Sequence, residues 1–73
     1  MAYCRGGEDS DVYAFSDGKG FRIYVSKLIN YHEDFYYAED LDSFLEKMLE
    51  LKENGLKIPD YTFERINREI NGG

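Results

Sequence analysis

VYAFSDGKGFRIYV, residues 12 to 25, decides the fold class of this 73-residue chain. Val12 to Ser16 is rich in strand formers, and Asp17-Gly18 is a two-residue turn signal of the kind that joins antiparallel strands. Phe21, Ile23 and Val25 then alternate with Arg22, Tyr24 and Ser26. The pattern predicts a β-hairpin over about residues 12–26 with one apolar face. Tyr13 and Phe15 are expected to sit across from the apolar residues of the second strand, where aromatic and β-branched neighbours stabilise a pair of strands. A hairpin is marginal by itself in water, so this one needs other elements to pack on.

Those elements follow downstream. Asp40 is placed to cap a helix, and Leu41, Phe44, Leu45, Met48, Leu49 and Leu51 recur at three- and four-residue spacing as an apolar stripe. Lys52 suits the negative end of the helix dipole, and Asn54-Gly55 is a stop signal, which gives a helix over about 40–54. Pro59 opens a second helix over about 59–70, with Phe63, Ile66 and Ile70 on one face and Glu64 and Arg68 as an exposed i, i+4 pair. Between hairpin and first helix, Leu28 and Ile29 extend the apolar run, and Phe35-Tyr36-Tyr37 is the candidate for a short third strand. Residues 1–11 read as a polar lead-in punctuated by Gly6 and Gly7, and Asn71-Gly72-Gly73 is expected to fray. The expectation is one α+β domain, residues 1–73: a hairpin, with or without the third strand, packed on two helices in a ββα-like arrangement.

Composition supports a folded chain. Hydrophobic residues make up 42% and aromatics 16%, which supplies apolar surface for a core despite 33% charged residues. No apolar run approaches the roughly 18 residues of a membrane span, and the polar start MAYCRGGEDSD lacks the apolar segment of a signal peptide. A lone Cys4 has no partner for an internal disulfide. A cytoplasmic protein without a membrane role is the expectation.

The residues that carry chemistry are sparse. His32 lies beside Glu33 and Asp34, yet a general base needs further partners that the local sequence does not supply. Cys4 has no adjacent base, and the chain holds neither a Gly-rich phosphate cradle nor a recognisable Ser, His and Asp set. No catalytic residue and no cofactor is expected, and the chain reads as a non-enzyme.

Charge is distributed unevenly. The net charge is −6, and residues 33 to 53 alone carry it: eight acids against Lys47 and Lys52. The other residues hold seven acids and seven bases. Asp42, Glu46, Glu50 and Glu53 are spaced by four, four and three residues, which puts them on one ridge of the first helix. Such a ridge disfavours direct binding to a phosphate backbone, which requires Lys and Arg to displace counterions. It is either an ordinary solvated face or a contact surface for a basic protein site.

The ends of the chain carry a resemblance. MAYCRGGEDSDVYAF at the start and GLKIPDYTFERINREI at the close resemble a family of small, mostly uncharacterised phage and prophage proteins. Members begin with MAYCR and an SDVYVY-like strand, carry C-x-x-C in the second strand and H-L-x-x-H on the following helix, and finish with G-x-x-V-P and a last helix. In register with that pattern, the two cysteines fall at Ile23 and Ser26 and the two histidines at Lys47 and Leu51. None of the four is a ligand here. The resemblance thus implies a zinc-finger-like domain that is metal-free, its lost metal stabilisation replaced by apolar packing at positions such as Ile23 and Leu51.

The function expected on these grounds is that of a phage-encoded binding protein. It would act in the bacterial host cytoplasm on a host protein with a basic surface, such as a defence nuclease or a CRISPR effector, and inhibit it. Asp42, Glu46, Glu50 and Glu53, with Tyr36 and Tyr37, are the candidate contact residues. Two alternatives stand beside it. One is a degenerate nucleic-acid module that stacks bases on Tyr24, Tyr31, Tyr36 and Tyr37 and holds phosphates with Lys19, Arg22 and Lys27. The other is a self-associating structural protein that forms a homodimer through a hairpin edge or a Tyr36-Tyr37 patch.

Overall fold

The hairpin forms the middle of a four-stranded antiparallel sheet in the computed structural model, which describes residues 2–7, 9–25 and 35–72. The strands are β1 (Ala2–Cys4), β2 (Val12–Ser16), β3 (Phe21–Val25) and β4 (Phe35–Ala38), in the spatial order β1-β2-β3-β4. Two helices follow, α1 (Leu41–Glu53) and α2 (Asp60–Ile70). The α+β class and the hairpin on two helices hold, and the sheet is larger than expected. The Phe35-Tyr36-Tyr37 candidate is a strand, and the polar lead-in contains another. Leu28, Ile29, His32 and the rest of residues 26–34 lie outside the described residues.

β1 exists because two of its three side chains enter the core. Ala2 pairs with Phe15 and Cys4 with Ala14, so Tyr3 is the extra residue of a bulge. Strict alternation would send Tyr3 and Cys4 to opposite faces; the bulge turns both inward, and both are buried. Tyr3 then packs edge-on to Phe44, with ring centroids 5.0 Å apart.

The loop between β2 and β3 is longer than the two-residue turn that Asp17-Gly18 suggests. Ser16 pairs with Phe21, which leaves Asp17 to Gly20 as a four-residue loop closed by Asp17 N–H donating to the Gly20 carbonyl at 3.1 Å. Asp17 organises it. One carboxylate oxygen accepts the N–H groups of Lys19 and Gly20, both at 2.9 Å, and the other accepts Arg22 Nε at 2.6 Å. These donors, Arg22 first, hold the Asp17 carboxyl at about 2, below its ordinary value.

Register assigns the two faces of the sheet. Val12 faces Val25 and Ala14 faces Ile23, and all four are buried. Tyr13 faces Tyr24 and Phe15 faces Arg22 on the opposite side. The expectation that Tyr13 and Phe15 join the apolar face of β3 is therefore corrected: the small residues of β2 point to the core, where the helices need the space.

The helices cover that inner face, α1 against β4 and α2 against β1. Asp40 caps α1 by accepting the Ser43 N–H at 2.8 Å, and this bond holds its own carboxyl below the usual value. Phe44, Met48 and Leu51 are fully buried, and Phe44 stacks on Phe21 at 4.7 Å. Leu49 leaves the predicted stripe and is 44% exposed, since one residue past Met48 is about 100° further round the helix. Asn54 caps α1, and Gly55, at φ +99°, turns the chain away.

The α1–α2 link is tied to the sheet at both of its polar groups. Asp11 N–H donates to the Lys57 carbonyl, and Lys57 N–H donates to the Asp11 carboxylate, each at 2.8 Å. Pro59 stands just outside α2 as its extended N-terminal flank rather than within it. Thr62 and Ile66 are fully buried, and the Thr62 hydroxyl donates to the Tyr3 carbonyl at 3.2 Å. Ile70 sits at the margin, 36% exposed, and the i, i+4 pair that closes on α2 is Arg65–Glu69 at 3.8 Å. At the C-terminus Asn71 and Gly72 donate back to the carbonyls of Asn67 and Glu69, each at 3.1 Å, and Gly73 lies outside the described residues.

Candidate functional site

The four acids of α1 stand on its solvent side. Asp42, Glu46, Glu50 and Glu53 are all exposed, which their spacing requires once Phe44, Met48 and Leu51 face inward. Of the two bases of this segment, one is held away from these acids and the other pairs with one of them. Lys52 lies 3.5 Å from Asp60 and 5.1 Å from the centre of the Phe63 ring, on the side of α2. Lys47 donates to Glu50 at 2.7 Å and rests 4.7 Å above the Tyr36 ring. Asp42, Glu46 and Glu53 form no ion pair among the described residues.

Tyr36 and Tyr37, predicted as a shared patch, point to opposite faces of β4. Tyr36 faces Ile23 and is packed, half-buried, against the core under Lys47, so it serves as the platform of a cation rather than as a free contact. Tyr37 faces Arg22 and is 47% exposed. It borders the acidic ridge: Tyr37, Ala38, Ser43, Glu46, Lys47 and Glu50 line a shallow cavity of about 230 Å³. The structure therefore joins Tyr37, Glu46 and Glu50 into one surface and removes Tyr36 from it.

Sequence reasoning missed a second surface, the outer face of the sheet. Tyr13, Phe15, Tyr24, Phe35 and Tyr37 lie on it with Arg22 among them. Phe15 and Tyr24 stack at 5.9 Å with an interplanar angle of 11°, and Tyr24 meets Phe35 at 4.8 Å. The Arg22 guanidinium stands 5.8 Å from the Phe35 ring centre and 5.9 Å from that of Tyr37. Of the proposed base-stacking residues, Tyr24 and Tyr37 belong to this face, Tyr36 does not, and Tyr31 lies outside the described residues, as does Lys27.

Ile23 and Leu51 are fully buried in one core, and Lys47 covers Tyr36, the cross-strand partner of Ile23. Ser26 lies outside the described residues. Among the described residues no group of three or more His, Cys, Asp or Glu side chains is placed to hold a metal ion. Cys4 is buried, its thiol bonded to the Val12 carbonyl at 3.3 Å, and burial pushes its pKa up, the reverse of what activates a nucleophile. A larger open cavity of about 630 Å³ lies between β1 and α2, where Arg5, Asp9, Tyr61 and Arg65 are among the lining residues. No helix of the described residues is long and apolar enough to cross a membrane. No family model, no curated protein and no solved structure matches the chain.

Proposed function

We propose that this chain is a phage-encoded, non-enzymatic binding protein that works in the cytoplasm of a bacterial host. Its acidic α1 surface occupies a basic site on a host protein, of the kind that a nuclease or a CRISPR effector presents to nucleic acid, and blocks it. The observation that carries this reading is the junction of Tyr37 with Glu46 and Glu50 around one shallow cavity. An exposed aromatic ring beside the carboxylates of Glu46 and Glu50, the latter shared with Lys47, gives a partner an apolar anchor together with a charge complement that steers its approach. The resemblance to phage proteins supplies the origin, and the apolar core at Ile23 and Leu51 supports folding without zinc.

The test is capture of tagged protein on host lysate, with a variant in which Asp42, Glu46, Glu50 and Glu53 are changed to Lys. A host protein retained by the native chain, released by added salt and lost by the variant is the expected result. Retention of the same protein by both forms, or retention indifferent to salt, would remove the acidic surface from the mechanism.

A further inference from the structure

We propose that the outer face of the sheet is a self-association surface, on which two copies of this chain pack Tyr13, Phe15, Tyr24, Phe35 and Tyr37 against the same residues of the second copy. Tyr13, Tyr24 and Tyr37 are 40%, 41% and 47% exposed, while both helices occupy the other side of the sheet. Rings of this size carry about 150–250 Å² each. At those exposures the face offers a few hundred Å² of apolar surface per copy, the size of the largest apolar patch on a typical monomer, which is often functional.

Charge selects the occupant. Among the described residues the one cation on the face, Arg22, is bonded to Asp17 at 2.6 Å, so the pair is neutral and the rings around it are uncharged. A single nucleic-acid strand would find rings to stack on but, among the described residues, no uncommitted cation on the face for its phosphates, next to a chain of net charge −6. A basic protein would be drawn to α1 instead. A second copy of the same neutral face is the complement that remains, and a two-fold axis through it brings like rings together as an isologous contact. Sheets packed in this way lie about 10 Å apart, with both pairs of helices outward, so the carboxylates of α1 stay accessible in each copy while Tyr37, at the border of the two surfaces, is shared between them.

The contact is small, so it is weak and depends on concentration. It also carries a salt signature opposite to that of the acidic surface. Two chains of −6 repel at long range, and screening that repulsion strengthens the apolar contact, whereas salt weakens binding of a basic partner.

Sedimentation equilibrium of the purified chain tests this without any partner, so its outcome is independent of the host-protein reading. The mass is expected to rise from 8.6 kDa toward twice that value with concentration, and to do so at lower concentration in high salt. Tyr24→Glu and, as a second variant, Tyr13→Glu are expected to hold the chain at monomer mass while circular dichroism keeps the native spectrum; Glu46→Lys is expected to leave association intact. A native chain that stays at 8.6 kDa up to its solubility limit overturns the proposal. So does association that survives both tyrosine variants, which would place the contact on a strand edge. Single-stranded DNA bound by a monomeric native chain and lost in Tyr24→Glu would overturn it in favour of a stacking platform.

Discussion

Lys47 donates to Glu50 at 2.7 Å while its ammonium group rests 4.7 Å above the centre of the Tyr36 ring. The lysine is thus fixed at the edge of the acidic surface by a ring below it and a carboxylate beside it, and it cancels part of the charge that a basic partner would meet. Lys47→Gln is expected to strengthen binding of such a partner by roughly two- to five-fold, the scale of an exposed ion pair of about 0.5–1 kcal/mol. Glu46→Lys is expected to weaken it by more, since it removes an attraction and adds a repulsion. Titration of the captured partner at two salt concentrations reads both effects, and equal affinities for the three forms would count against a charge-driven contact.

Gly20 is expected to be irreplaceable for a steric reason. It is buried, and a Cβ built on it would lie 2.6 Å from Tyr37 Cζ and 2.7 Å from the Ala38 carbonyl, and closer still to the Tyr37 hydroxyl. Gly20→Ala must push the Tyr37 ring aside and also strain the β4 backbone, at a cost of about 1–3 kcal/mol. Combining it with Tyr37→Ala relieves the ring contact but not the carbonyl contact, so the double-mutant cycle in thermal melts should show a partial rescue. Full additivity of the two changes would mean that the loop does not pack on Tyr37.

The parts of the fold that the sequence disclosed are those with a repeating pattern. β2, β3 and both helices carry periods of two or of three and four, and Asp40, Asn54 and Gly55 mark ends by chemistry that acts within one turn. β1 carries no such pattern: three residues are too few for a period, and its existence depends on β2 and on Thr62 and Glu69 of α2, about sixty residues away. The outer aromatic face was legible and was overlooked. Any hairpin loop of even length, whether two residues or the observed four, places Ala14 rather than Phe15 on the side of Ile23 or Phe21, so Tyr13 and Phe15 had to join Arg22 and Tyr24. Apolar character alone misassigned them. The link between Tyr37 and Glu46 could not be read, because it depends on how α1 turns back beside β4.

Leu51 and Leu49 make a matched pair for testing the core. Leu51 is fully buried and Leu49 is 44% exposed on the same helix, two residues apart. Leu51→Ala is expected to cost about 2–5 kcal/mol through lost burial and the cavity left behind. In a domain of this size, whose total stability is roughly 4–11 kcal/mol, that is a large share of the whole. Leu49→Ala is expected to stay within about 0.5 kcal/mol of the native chain. Urea titrations of the two variants decide it. Similar losses at both positions would mean that the packed side of α1 is not the one described.

Tyr3 and Cys4 predict how stability depends on alkaline pH. The Tyr3 hydroxyl donates to Glu69 at 2.5 Å beneath the Arg65 guanidinium, which lies 5.8 Å from the ring centre. Burial first, then the bond and the charge of Glu69, push the phenol well above its ordinary value, against a smaller opposing pull from Arg65. Burial likewise pushes the Cys4 thiol up. Both groups are raised in the folded state, so the stability they contribute is complete below their unfolded values, near 8.5 for the thiol and near 10 for the phenol, and is lost as pH rises beyond them. The melting temperature should therefore decline from about pH 9 upward. Tyr3→Phe gives up the bond to Glu69 and should be less stable at pH 7 by about 1.5–3 kcal/mol, the strength usual for a bond to a charged acceptor, and so melt lower. It also has no phenol to ionise, so its deficit should shrink as pH approaches 11. A deficit that stays constant from pH 7 to 11 would show that the Tyr3 hydroxyl titrates alike in the folded and unfolded chain and that its bond to Glu69 does not hold the proton.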